Sequence, residues 1–143
     1  MQLTSFTDYT LRVLMYLALQ TKGLATIKGI ADAYNISESH LMKVVHHLAK
    51  SGVVESIRGK GGGIRLALPP AEIRIGRVVR AAESDAAIVE CFSDSNRCCI
   101  TRCCKLPSIL EEAFDALYDS LDQYTLADLV EHPRPLTRIL QVG

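Results

Sequence analysis

The sequence predicts a mainly α protein with a small β-hairpin wing: a winged helix-turn-helix domain joined to a long helix suited to dimerisation. Three observations predict it. Two helical patterns meet across a tight turn at residues 35–37, and the second is led by small polar and basic side chains. Two strand patterns flank a basic, glycine-rich segment at residues 58–62. A long amphipathic pattern opens at Leu106, and a winged-helix unit leaves little surface to cover it.

Thr4 to Gln20 reads as the first helix, with Leu3, Phe6, Leu11, Leu14, Met15 and Ala18 at helical spacing and Thr4 or Thr7 as its cap. Lys22-Gly23 ends it. A short helix from Ala25 to Tyr34 follows, capped by Thr26 and burying Ile27, Ile30 and Ala31. Ser37 then caps Glu38 to Lys50, whose stripe is Leu41, Val44, Val45 and Leu48; Ser39, His40, Lys43, His46 and His47 fall largely outside the stripe. This is the expected recognition helix. His46 and His47 are adjacent and point to different sides, which argues against one shared metal ion.

Strands at 53–57 and 63–68 flank the wing tip Arg58-Gly59-Lys60-Gly61-Gly62. Glycine lets backbone approach phosphates closely, and Arg58 or Lys60 can enter the narrow groove. A P-loop fails here, because the Gly-x-x-x-x-Gly-Lys-Ser/Thr order is absent and no helix begins at the tip. Pro69-Pro70 stops the second strand, and Ile73 to Glu83 reads as a helix burying Ile75, Val78, Val79 and Ala82. In the long pattern Leu106, Leu110, Ala113, Phe114, Leu117, Leu121 and Tyr124 share one side, with acids on the others. Thr125 caps a last short helix from Leu126 to Val130, and the pattern predicts only a tail after it. The expected organisation is a DNA-binding domain at 1–83, a cysteine loop at 84–106, and a dimerisation helix with tail at 107–143.

The formal net charge of zero hides a split. Residues 1–80 carry eleven Lys and Arg against five Asp and Glu, a balance of +6, whereas residues 81–143 carry five against eleven, a balance of −6. Half of the chain suits a polyanion such as double-stranded DNA. No apolar run approaches bilayer-spanning length and no charged leader opens the chain, so a cytoplasmic protein without a membrane partner is expected.

All five cysteines lie within the fourteen residues from Cys91 to Cys104. Thiols this close suit one inorganic centre better than a framework of cross-links between distant segments. Thiolates are soft ligands for iron-sulfur clusters and for zinc. An enzyme is disfavoured: no C-x-x-C redox pair occurs, and no histidine lies near the thiols to activate a nucleophile.

The opening M-Q-L-T-S-F-T-D-Y-T-L-R, the wing R-G-K-G-G-G-I-R-L, the following I-R-I-G-R-V-V-R, the cysteine loop and Y-T-L-A-D-L-V together resemble a bacterial family. It is the winged-helix iron-sulfur repressor family that contains NsrR, IscR and RirA, and the match covers nearly the whole chain. The opening and the Y-T-L-A-D-L-V segment look most like the nitric-oxide-sensing members. The resemblance implies a homodimeric repressor on a palindromic operator, with nitric oxide as signal; the Glu90-Cys91-Phe92 context keeps an iron-responsive, RirA-like regulator as the alternative.

Family members use three cysteines, the last two separated by five residues, which here implies Cys91, Cys98 and Cys104 as ligands and leaves Cys99 and Cys103 outside the usual set. The resemblance further implies a 4Fe-4S cluster with Asp8 of the opposite subunit as fourth ligand. Without it, Asp8 reads as a first-turn acid placed by the helix dipole. IscR-type members place a histidine where this chain has Pro107, which counts against a 2Fe-2S cluster. Zinc held by the three cysteines and Asp8 is the rival cofactor. For DNA contact the expected residues are Ser37, Ser39, His40 and Lys43 on the recognition helix, Arg58 and Lys60 on the wing, and Arg12 towards the backbone.

Overall fold

A computed structural model describes residues 1–84 and 87–143, and it has the fold class expected from the sequence. The central element is α1 (Ser5–Leu19), against which α3, α4, β2, α6 and α7 all pack. Thr4 caps it from an extended backbone, its hydroxyl accepting from the Thr7 amide at 3.2 Å. Its buried face is Thr7, Thr10, Val13, Leu14, Leu17 and Leu19. Of the stripe expected from spacing only Leu14 is fully buried; Phe6, Leu11, Met15 and Ala18 are half-buried at its edge and Leu3 is exposed. The helix is turned because two threonines occupy core positions with their hydroxyls satisfied, Thr10 by the Phe6 carbonyl at 2.7 Å and Thr7 by the Glu83 carboxylate.

α2 (Ile27–Tyr34) and α3 (Glu38–Lys50) form the helix-turn-helix. Thr26 and Ser37 cap them as expected, and Asn35 takes the left-handed backbone, φ 53°, that closes the turn between them. The α3 stripe Leu41, Val44, Val45 and Leu48 is buried as read, completing one core with Val13, Leu14, Leu17 and Ile30.

β1 (Val54–Ile57) pairs antiparallel with β2 (Gly63–Leu66), Val54 opposite Leu66 and Glu55 opposite Arg65. Gly59 and Gly61 at the tip have φ of 101° and 77°, a conformation that side chains with a β-carbon resist. A single bridge between Ala25 and Ile64 anchors the wing to the body. A tight turn at Pro70–Glu72 leads into α4 (Ile75–Glu83), which buries Ile75, Gly76, Val78 and Val79, while Ala82 is only half-buried.

The cysteine segment carries one short helical turn, Glu90–Phe92, and otherwise runs as loop to α5 (Leu106–Leu121). No residue of α5 is fully buried in the single chain. Its N-terminal end shows Leu106 and Ile109 at 48% and 59% exposure, while Tyr118 and Leu121 pack against the core. The chain then returns to the body. α6 (Leu126–Leu129) opens on a reciprocal cap between Thr125 and Asp128 and buries Leu126 completely. Residues 133–140, where the sequence pattern predicts only a tail, form α7 (Pro133–Leu140) with Leu140 buried.

Candidate thiolate site and nucleic-acid interface

Ser37, Ser39, His40 and Lys43 are all exposed on the first turns of α3. Ser37 is spent on the cap, accepting from the His40 amide at 3.4 Å, and its hydroxyl lies 3.3 Å from that of Ser39. Arg58 and Lys60 are exposed at the wing tip, so the two expected contact groups are carried on separate projections of one body. Arg12 is placed differently. Its guanidinium makes a two-point ion pair with Asp8, Nη2 to Oδ2 at 2.9 Å and Nε to Oδ1 at 3.1 Å, and lies 6.0 Å and 5.8 Å from the rings of Tyr9 and Tyr34. The Tyr34 hydroxyl donates to the Arg12 carbonyl at 2.9 Å; burial, the largest influence, pushes its pKa up to about 12, so it stays a donor.

The first turns of α1 also touch α3 through rings. Tyr9 stacks on His40 with centroids 6.0 Å apart and planes at 28°, and Phe6 meets His47 edge-on at 5.4 Å. The sequence pattern does not reveal these contacts, because both α1 residues lie at the edge of its apolar face. His47 is thus half-buried against Phe6, whereas His46 is exposed.

Glu83, at the end of α4, joins the start of α1 to the entrance of the cysteine segment. Its Oε1 accepts from the Thr4 amide at 2.8 Å, the Thr4 hydroxyl at 2.9 Å and the buried Thr7 hydroxyl. Burial alone would push the carboxyl up; the hydrogen bonds from Thr7 and Thr4 outweigh it and hold the group below its ordinary 4.5. Replacing Glu83 with glutamine is therefore expected to cost about 2 kcal/mol near neutral pH, the scale of hydrogen bonds to a charged acceptor. The sign follows from the lowered folded value: the contribution is complete above the unfolded pKa and is lost as pH falls through the folded one. Urea unfolding should show the gap between wild type and variant closing at low pH; a gap that does not change with pH would contradict it.

In the loop, Cys91 and Cys104 are half-buried and Cys98, Cys99 and Cys103 are exposed, all with free thiols. The Leu106 amide donates to Cys104 Sγ at 3.4 Å, and Cys103 Sγ donates to the Ile100 carbonyl at 3.4 Å. Among the described residues no group of three or more His, Cys, Asp or Glu side chains is close enough to hold a metal ion. Within one chain, then, the expected ligands are not gathered, and Asp8 is engaged with Arg12. The donor set itself, several soft thiols on one exposed loop, fits an iron-sulfur cluster or zinc.

Comparison with known proteins agrees with this architecture. The profile of the Rrf2 family, described as "Iron-dependent Transcriptional regulator", matches residues 3–132. The chain is 50% identical over 143 residues to the HTH-type transcriptional regulator NsrR of Shouchella clausii, covering 99% of this chain and 96% of that one. It is 49% identical over 144 residues to NsrR of Bacillus subtilis, covering 99% of both. Among solved structures, CymR, the global cysteine regulator of B. subtilis, superposes with a TM-score of 0.70 at 29% identity, over 92% of this chain and 98% of that one.

Proposed function

Because the chain belongs to the Rrf2 family of transcriptional regulators, we propose that it is a homodimeric, DNA-binding repressor whose grip on a palindromic operator is set by an iron-sulfur cluster and released by nitric oxide. Cys91, Cys98 and Cys104 would hold the cluster, a 4Fe-4S centre, with Asp8 of a second copy as the remaining ligand. Bound there, the cluster supplies a redox-active centre in which an oxygen donor is the harder and weaker of the ligands to iron. The similarity to proteins named NsrR supports nitric oxide as the signal.

The observation that carries the reading is the position of Asp8. It stands one residue before Tyr9, whose ring rests on His40 of the recognition helix, and one turn before its ion-pair partner Arg12. That pair is about half exposed, and exposed pairs contribute only about 0 to 1 kcal/mol. Asp8 can thus leave Arg12 for a metal, or return to it, at little cost. Each exchange alters the first turns of α1 and, through Tyr9, the seat of His40. The uncovered α5 apolar end, with Leu106 and Ile109 exposed, suits a second copy, and two copies suit two half-sites about one helical turn apart. On the operator, Ser37, Ser39, His40 and Lys43 would face the major groove, with Arg58 and Lys60 along the flanking backbone or minor groove and Arg12 joining the phosphates when Asp8 is drawn away.

Iron response is the second reading, favoured by the family description itself. One anaerobic sample separates the two. Operator binding is titrated with nitric oxide and, in parallel, with an iron chelator, while the cluster absorbance is followed. Nitric oxide is expected to bleach the brown colour and release the DNA together. Release by chelator with nitric oxide inert would support the iron-responsive reading, and colourless protein with stoichiometric zinc would overturn both.

A further inference from the structure

The cysteine loop is not uniformly held. One group of its hydrogen bonds holds the backbone of residues 97–98, while another gathers on the Ile100 carbonyl, which accepts from the Cys103 and Cys104 amides at 3.0 Å and 2.9 Å. The Arg97 amide donates to Glu90 Oε1 at 2.9 Å, and the Cys98 amide donates to Asn96 Oδ1 at 2.9 Å. The Cys98 carbonyl accepts from the Thr101 hydroxyl at 2.9 Å and, at a longer 3.5 Å, from the Thr101 amide. Asn96 Nδ2 then closes the ring by donating to that same Thr101 hydroxyl at 3.0 Å. The neighbouring thiol is held quite differently. Among the described residues, neither the amide nor the carbonyl of Cys99 makes a hydrogen bond.

From this asymmetry we infer that Glu90, Asn96 and Thr101 are positioning residues that brace Cys98, and not Cys99, as the middle thiolate of the cluster site. The inference rests on the proposed cluster at Cys91, Cys98 and Cys104 and adds to it the residues that select among adjacent thiols. The physical reason is entropic. A ligand on a free loop must be ordered when metal binds, whereas one whose backbone is already fixed on both sides loses less freedom. Hydrogen-bonded supports of this kind commonly govern metal retention by 10- to 100-fold without touching the metal. The brace lies on an exposed loop, outside the core that determines folding, so its loss acts on the site and leaves the body intact.

The test uses full-length protein loaded with cluster under anaerobic conditions. The rate of loss of the cluster absorbance to a chelator is measured for wild type, Asn96→Ala, Thr101→Val and Thr101→Ser. Asn96→Ala and Thr101→Val are expected to lose the cluster roughly 10-fold faster. Thr101→Ser, which keeps the hydroxyl, is expected to match wild type. Thermal unfolding of the cluster-free proteins is expected to be unchanged, which separates positioning from folding. Cys98→Ser should fail to load, and Cys99→Ser should load normally. Wild-type retention in Asn96→Ala and Thr101→Val, or loading that depends on Cys99 and not on Cys98, overturns the brace while leaving the cluster itself standing. A wild-type chain that takes up no cluster overturns both.

Discussion

Replacing Gly76 with valine is expected to destabilise the full-length protein by about 3 kcal/mol, the upper end of what forcing extra atoms into a filled space costs. Gly76 lies on the buried side of α4, where α5 crosses it. A β-carbon there would stand 2.2 Å from the Tyr118 carbonyl oxygen and 2.5 Å from Asp122 Oδ1. The aspartate side chain could turn aside; the Tyr118 carbonyl belongs to the helix backbone and could not. The close approach lets the Arg77 amide donate to Asp122 Oδ1 at 2.8 Å and Arg74 Nη1 to the Asp122 carbonyl at 3.2 Å. Arg80 completes the joint, pairing with Asp115 at 2.9 Å while its guanidinium lies 4.4 Å over the Tyr118 ring. Urea unfolding checks this, and an unchanged midpoint would show that α5 can be lifted from α4 without consequence.

The second large effect concerns the cluster. Its removal is expected to weaken operator binding roughly 5- to 150-fold, the span of a coupling of about 1 to 3 kcal/mol. Two features set this scale. Asp8, Tyr9 and His40 form a short path from proposed ligand to reading head, and α5 both follows the cysteine loop directly and is seated on α4. Because the proposed dimer would engage two half-sites at once, a small change in the relation of its heads would be amplified in the overall affinity.

Much of this fold is legible in the sequence, for identifiable reasons. The α3 stripe reads correctly because it is purely aliphatic and its period matches the helix. The caps at Thr26 and Ser37 and the wing glycines are residue types that local geometry demands. α1 is rotated from its apolar pattern because Thr7 and Thr10 are buried, and hydropathy cannot see that Glu83, far along the chain, satisfies one of them. α7 escapes because its prolines suggest a break, yet Pro133 and Pro135 fall in a first turn, where helical amides need no partner.

The candidate site divides in the same way. Five cysteines in fourteen residues are visible in the sequence and favour a metal or iron-sulfur site. The side chains that distinguish Cys98 from Cys99 do not, since Glu90, Asn96 and Thr101 act through loop hydrogen bonds that have no period to detect. The Asp8 to Arg12 spacing is visible as a helical ion pair, but its contact with the recognition helix through Tyr9 exists only once α1 and α3 are packed.

In the proposed mechanism the state of the cysteine loop sets the strength of the grip on DNA. This dependence is tested most directly by the operator affinity of one anaerobic preparation, measured before and after cluster removal at a single salt concentration, since salt alone moves such affinities strongly. A loss of roughly 5- to 150-fold, restored on reloading the cluster, is expected. Equal affinity in the two states would contradict it.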